Sequence, residues 1–148
     1  MKHLKLTALF SVALALALPT HASQFSEGAA ARLSEYIQVN TQNPPGNETR
    51  GVEFFAAIFD AAGIAYDHAE SSPGRGNIWA RLEGGDEPAL VLLNHMDVVP
   101  ADLRYWSANP FGGAIRDGHI YGRGALDMKG LGIVQLQAFL SLHASGKR

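Results

Sequence analysis

Cysteine is absent from all 148 residues. That excludes disulfides, thiolate zinc sites and a cysteine nucleophile, so any metal must be held by nitrogen and oxygen ligands. Clusters of lysine and arginine are also missing, which makes nucleic acid a poor partner. Long hydrophobic runs are lacking: the mostly apolar stretch from Leu6 to Leu18 has thirteen residues, too few to span a bilayer comfortably. There is no internal repeat, no low-complexity tract, no Gly-x-Ser-x-Gly elbow and no Walker lysine pattern. What is present, 47% hydrophobic and 18% charged, fits one ordinary globular domain.

The thirteen-residue stretch follows a short basic head, Lys2 and Lys5, and precedes Thr20-His21-Ala22. This is the layout of a secretory signal peptide over residues 1–22, cut ahead of Ser23, with an uncleaved anchor as the alternative. The expected location is therefore secreted or periplasmic, with no stable membrane association after cleavage. Loss of Lys2 and Lys5 from 12 basic residues leaves 10 against 14 acidic ones, a formal charge of −4.

Beyond the leader, "SEGAAARLSEYIQVN" places Ala29, Leu33, Tyr36 and Ile37 at helical spacing, and "NPPG" stops it. "NETRGVEFFAAIFDAAG" predicts a second helix with Asn47 as its cap, a stripe of Val52, Phe55, Ala56 and Phe59, and Gly63 at its end. "IAYDHAE" predicts a short strand. "NIWARLEG" and "PALVLLNH" predict two strands joined by a turn at Gly84-Gly85-Asp86. In "AIRDGHIYG", Asp117-Gly118 suits a two-residue hairpin turn. "LGIVQLQAFLSLHASG" predicts an apolar helix with stripes on more than one side, and hence well covered. Interspersed helices and strands argue an α/β layered fold.

Two stretches carry chemistry. "LLNHMDVVP" ends a greasy strand with His95 and Asp97, whose side chains alternate with Met96 and so share one face. "YGRGALDMKG" makes a glycine-rich turn and sets Asp127 just before the last helix. A pyrophosphate site would need a third glycine and no acid there, so a dinucleotide is the wrong ligand. A carboxylate at that turn makes sense facing cations, because its two oxygens can each hold one ion of a pair roughly 3.5–4 Å apart. His95 would ligate through a neutral ring nitrogen while Asp97 hydrogen-bonds the other and fixes the tautomer. His68, His119 and His143 are expected to be surface or structural histidines. Trp106 and Phe111 are expected to shape a loop, and Lys129 to face solvent or complement nearby acids.

"LLNHMDVVPAD", "WSANPFGGAIRDGHIYGRGALDMKG", "TQNPPGNE" and "GRGNIWARL" resemble the di-zinc metallopeptidase family of aminoacylase, glutamate carboxypeptidase, acetylornithine deacetylase and succinyl-diaminopimelate desuccinylase. The likeness runs from about Leu33 to the end. It implies His95 and Asp127 as zinc ligands, Asp127 bridging two ions, and Asp97 as the catalytic-site acid that orients His95. It also implies a cis bond at Asp127-Met128, and Zn2+ as the cofactor, with Co2+ or Mn2+ able to substitute. The substrate would be a small peptide or N-acyl amino acid, and the complete enzyme could be a homodimer. The implied fold is a zinc-peptidase-like α/β domain with a mixed sheet flanked by helices, residues 23–148 being its N-terminal portion and incomplete at the C-terminus.

In that family a Glu-Glu pair a few tens of residues past the bridging acid supplies the general base and a further ligand. This sequence ends at Arg148, before such a pair. Two function classes follow. One is a zinc-dependent amide hydrolase represented by its N-terminal part and inactive in this form. The other is a non-catalytic metal-binding or structural remnant. A Glu-Glu pair encoded beyond codon 148 would favour the first, and a stop codon there the second.

Overall fold

The structure, a computed structural model, describes residues 21–147. The predicted leader therefore lies outside the described residues except for its last two. In chain order the elements are α1 (His21–Gln38), α2 (Glu48–Ala62), β1 (Tyr66–Glu70), β2 (Gly76–Ala80), β3 (Ala114–Arg116), β4 (His119–Tyr121) and α3 (Gly130–Ser145). A single 3-10 turn spans Leu103–Tyr105, and a kinked helical turn, Ala125–Lys129, leads into α3. Among the described residues no helix is long and apolar enough to cross a membrane.

The helices form where apolar spacing predicts them. Tyr36 and Ile37 on α1 are fully buried, and most of the α2 stripe, Val52, Phe55 and Phe59, is buried too. Tyr36, Phe55 and Phe59 meet Ile64 and, from α3, Ile133 and Leu136 in one core. Tyr36 stacks on Phe54 with ring centroids 4.8 Å apart and meets Phe55 edge-on at 5.0 Å, arrangements that aromatic quadrupoles favour. Gly63 ends α2 in the left-handed conformation, with its amide returning to Asp60 and Phe59 carbonyls. Asn47 stands at the N-cap position of α2, but its side chain makes no capping hydrogen bond. The carbonyl of Gly74 instead accepts from the first-turn amide of Thr49.

The α/β class holds, with the strands arranged as two small antiparallel sheets. β1 pairs with β2, Tyr66 opposite Ala80, and β3 pairs with β4 across Asp117-Gly118, both at positive φ as the hairpin turn requires. The expected pairing of "NIWARL" with "PALVLLNH" does not form. The short Ser71–Arg75 loop folds β2 directly back onto β1, so closure over a few residues prevails over the longer connection. The 89–94 run joins no ladder among the described residues. Leu90, Val91 and Leu93 are 86%, 74% and 79% exposed. One parallel bridge, Gln42 to Val98, is what remains there of sheet pairing. α3 likewise is covered on one face only: Ile133, Leu136 and Gln137 are buried, whereas Leu131, Val134 and Leu142 are exposed among the described residues.

Candidate metal centre

Side-chain alternation at 95–97 is as expected. Met96 packs into the core against α2, where it lies over Gly51, and His95 and Asp97 point the other way. The Asp127 turn owes its shape to Gly124, at φ 86, where a Cβ would lie 2.7 Å from Val98 Cγ1 and 3.2 Å from Lys129 Cγ. Asp127 and Met128 have non-helical dihedrals, and the peptide bond between them is cis, as the resemblance implies.

These two segments bring the three expected residues together. His95 Nδ1 lies 3.0 Å from the carbonyl oxygen of Asp97 and 3.1 Å from its Oδ1, while Nε2 lies 2.9 Å from Asp127 Oδ1. Asp97 offers Nδ1 acceptors alone, so Nδ1 carries a hydrogen. The neutral ring then presents a lone pair at Nε2 to another acceptor, Asp127 Oδ1. Without metal a second ring proton fills that gap, and it is the place a cation would take. Partial burial works against a charged ring, but the hydrogen bond the ring donates to Asp127, the Asp97 contacts and both carboxylate charges outweigh it and raise the His95 pKa above its usual value. The site is open: the side chains of His95 and Asp127 are 45% and 89% exposed.

Beneath the site lies a residue whose placement the sequence reading missed. Lys129 is fully buried rather than facing solvent. Its Nζ donates to the carbonyls of Tyr36, 2.8 Å, and Val39, 2.6 Å, at the end of α1, and sits 4.4 Å from the Tyr36 ring centroid. A helix C-terminus has unpaired carbonyls and a negative dipole end, so a cation suits it. Burial pushes the ammonium down to about 8. The same burial, and secondarily the charge of Asp97, push the Tyr36 phenol above its usual range. The available clue was that Lys129 opens a helix apolar on every side, where a solvent-facing lysine has no polar stripe to join.

His68 and His119 are exposed, and His143 faces the Ala62 carbonyl at 3.2 Å, so none of the three joins the centre. Trp106 lies under the Arg123 guanidinium at 5.2 Å, and Arg123 donates to the Pro100 carbonyl, so this pair ties the 98–111 loop to the glycine-rich turn. Among the described residues no group of three or more His, Cys, Asp or Glu side chains gathers as a metal cage.

Residues 91–148, which contain the whole centre, match the family model described as Peptidase family M20/M25/M40. The chain is 44% identical over 92 residues to succinyl-diaminopimelate desuccinylase of Xanthomonas oryzae pv. oryzae (strain PXO99A), covering 60% of this chain and 24% of that protein. It is 40% identical over 99 residues to the Delftia acidovorans protein of the same name, covering 61% and 26%. The chain thus spans about a quarter of the length of these relatives. Human carnosine dipeptidase 1 shares the fold, with a TM-score of 0.62 at 22% identity over 84% of this chain and 30% of that one.

Proposed function

We propose that this chain supplies the His95–Asp127 half of the metal centre of a zinc-dependent amide hydrolase of the peptidase or deacylase type. The observation that carries it is the facing pair of acceptors, His95 Nε2 and Asp127 Oδ1, with Asp97 holding the far side of the imidazole. The donor set fits zinc, which takes imidazole nitrogen and carboxylate oxygen. It supplies two direct donors, so the chain alone holds an ion weakly. Co2+ and Mn2+ are compatible with the same donors.

Each residue has a task in that centre. His95 and Asp127 bind. Asp97 keeps the ring in the Nδ1–H tautomer and makes Nε2 a better donor to a cation. Asp127 Oδ2 makes no hydrogen bond among the described residues, which leaves it able to bridge. A bound zinc ion supplies Lewis acidity toward an amide carbonyl. Small peptides and N-acyl amino acids are the substrate class we infer, in keeping with the names of the relatives. The general base is not assigned to any residue of this chain.

The test is a calorimetric zinc titration of the chain and of its His95→Ala and Asp127→Ala variants. Weak binding, lost in both variants, is expected, with little change in melting temperature on adding zinc. Undiminished binding by His95→Ala refutes the assignment. Tight binding of two ions would show that further ligands lie within these residues. The rival, a non-catalytic remnant, draws on the openness of the site and the absence of a third ligand among the described residues. Export is proposed from the composition of residues 1–22. Expression in a Gram-negative host should yield a periplasmic protein beginning at Ser23, and an intact Met1 in the membrane fraction would contradict it.

A further inference from the structure

The two halves of the centre are far apart in sequence, and the direct hydrogen bonds between them are mostly long and exposed. Besides the His95–Asp127 contact there are a 3.4 Å approach of the His95 amide to the Met128 thioether, a weak acceptor, bonds from Asn94 Nδ2 to Gln135 Oε1 at 3.3 Å, from Gln135 Nε2 to the Leu93 carbonyl at 3.5 Å and from Arg123 to the Pro100 carbonyl at 3.4 Å, and Val98 packed against Gly124. Such contacts cannot by themselves hold two ligands in register. Both halves are instead fastened, by buried bonds, to one short third segment: the end of α1 and the residues that follow it.

On the His95 side, Thr41 Oγ1 donates to the Met96 carbonyl at 2.6 Å. The Val98 amide donates to the Thr41 carbonyl at 3.1 Å, and the Asn43 amide to the Val98 carbonyl at 2.9 Å. On the Asp127 side, the Lys129 ammonium donates to the Tyr36 and Val39 carbonyls. Lys129 also closes the glycine-rich turn, its amide donating to the Gly124 carbonyl at 2.8 Å. Thr41, Tyr36 and Lys129 are each fully buried, so these bonds are sheltered from competing water.

We propose that the exit of α1, Tyr36–Thr41, is the common mount of both halves of the centre, with Lys129 and Thr41 the positioning residues that join them to it. Lys129 sets where Asp127 stands, and Thr41 sets where His95 and Asp97 stand. Neither touches the place an ion would take, and each acts through the backbone of the segment that bears a ligand. The purpose of the mount rests on the metal-centre proposal above, but its geometry does not.

The experiment uses the whole chain, labelled with 15N-histidine, as wild type, Lys129→Met, Thr41→Val, Asp127→Ala and Ile133→Val. Ring cross-peaks of His95 are recorded without metal, followed by Co2+ titration. In Lys129→Met and Thr41→Val the His95 cross-peaks should leave their wild-type positions toward those of Asp127→Ala. Co2+ affinity should fall at least about tenfold, the scale seen when groups that orient metal ligands are removed. Ile133→Val loosens the core that Tyr36 shares but removes none of the hydrogen bonds of the mount and should change neither readout, which separates positioning from a general loss of stability. Wild-type cross-peaks and affinity in a folded Lys129→Met or Thr41→Val protein overturn the proposal. Should Lys129→Met not fold, Thr41→Val, which is nearly isosteric, decides alone. If wild-type Co2+ binding proves independent of His95, the metal-centre proposal fails, and the metal-free spectra still decide the mount.

Discussion

Replacing Lys129 by methionine keeps most of the side chain's volume while removing its charge and its donors. Of the two carbonyls it serves, Tyr36 keeps the Val39 amide as a donor at 3.1 Å, whereas Val39 has no other partner among the hydrogen bonds of the described residues. The gain from no longer burying an ammonium roughly offsets the loss of two charge-assisted bonds. What is left is one buried acceptor without a donor, which costs about 1–3 kcal/mol. That is the destabilisation expected at pH 7. The pH dependence is the sharper signature. The folded pKa is lowered to about 8 from 10.5, so between these values the unfolded chain binds more protons than the folded one, and stability rises with pH. One pKa unit corresponds to about 1.4 kcal/mol, so wild type should gain about 2–3 kcal/mol from pH 8 to pH 10 through this residue. Lys129→Met should lack that gain. Above about pH 10 the buried Tyr36 acts in the opposite sense, because its proton is held in the folded state and lost in the unfolded one. Urea unfolding of both proteins by circular dichroism across this window, taken as a difference, cancels the Tyr36 contribution. Parallel profiles would refute a buried, titrating Lys129.

Gly122 has no room for a side chain: a Cβ there would overlap Ile37 Cγ2 and lie 3.0 Å from Ile37 Cδ1 and 3.2 Å from the Pro110 carbonyl. Gly122→Ala should therefore cost about 1–3 kcal/mol by overpacking, and an unchanged urea midpoint would contradict this. Leu90→Lys with Leu93→Lys charges an exposed, unpaired apolar run. Sedimentation should show less self-association with stability changed by no more than about 0.5 kcal/mol, and a large loss of stability would mean that the run is packed after all.

The three proposed site residues were legible as candidates because the devices that present them are local. His95 and Asp97 share a face through backbone alternation, and Asp127 is set by a glycine-rich turn a few residues long. α1 and α2 were readable from their apolar stripes, and the β3–β4 turn from Asp117-Gly118, for the same reason. Where expectation and structure part, a partner distant in sequence is involved. The cap of α2 is one case: Asn47 has the right chemistry, yet the Gly74 carbonyl reaches the first-turn amide of Thr49. The 89–94 run is another: it has strand composition, but no strand among the described residues pairs with it.

What the sequence determined by itself was the kind of donors available, nitrogen and oxygen with no thiolate, and the local devices that present them. Helical periodicity, hairpin chemistry and the alternation of His95 and Asp97 follow from φ/ψ preferences and from interactions among near neighbours, which a short window contains. The tertiary structure alone decided that Asp127 Oδ1 meets His95 Nε2, that β2 pairs with β1, and that Lys129 lies buried under the site. Burial and the His95–Asp127 contact depend on which surfaces meet after the chain closes loops of tens of residues, and the pairing of β2 depends on where the short Ser71–Arg75 loop turns the chain. The same lysine beside the same acid could face water or a helix end, and only the arrival of the Tyr36 and Val39 carbonyls makes the buried position favourable.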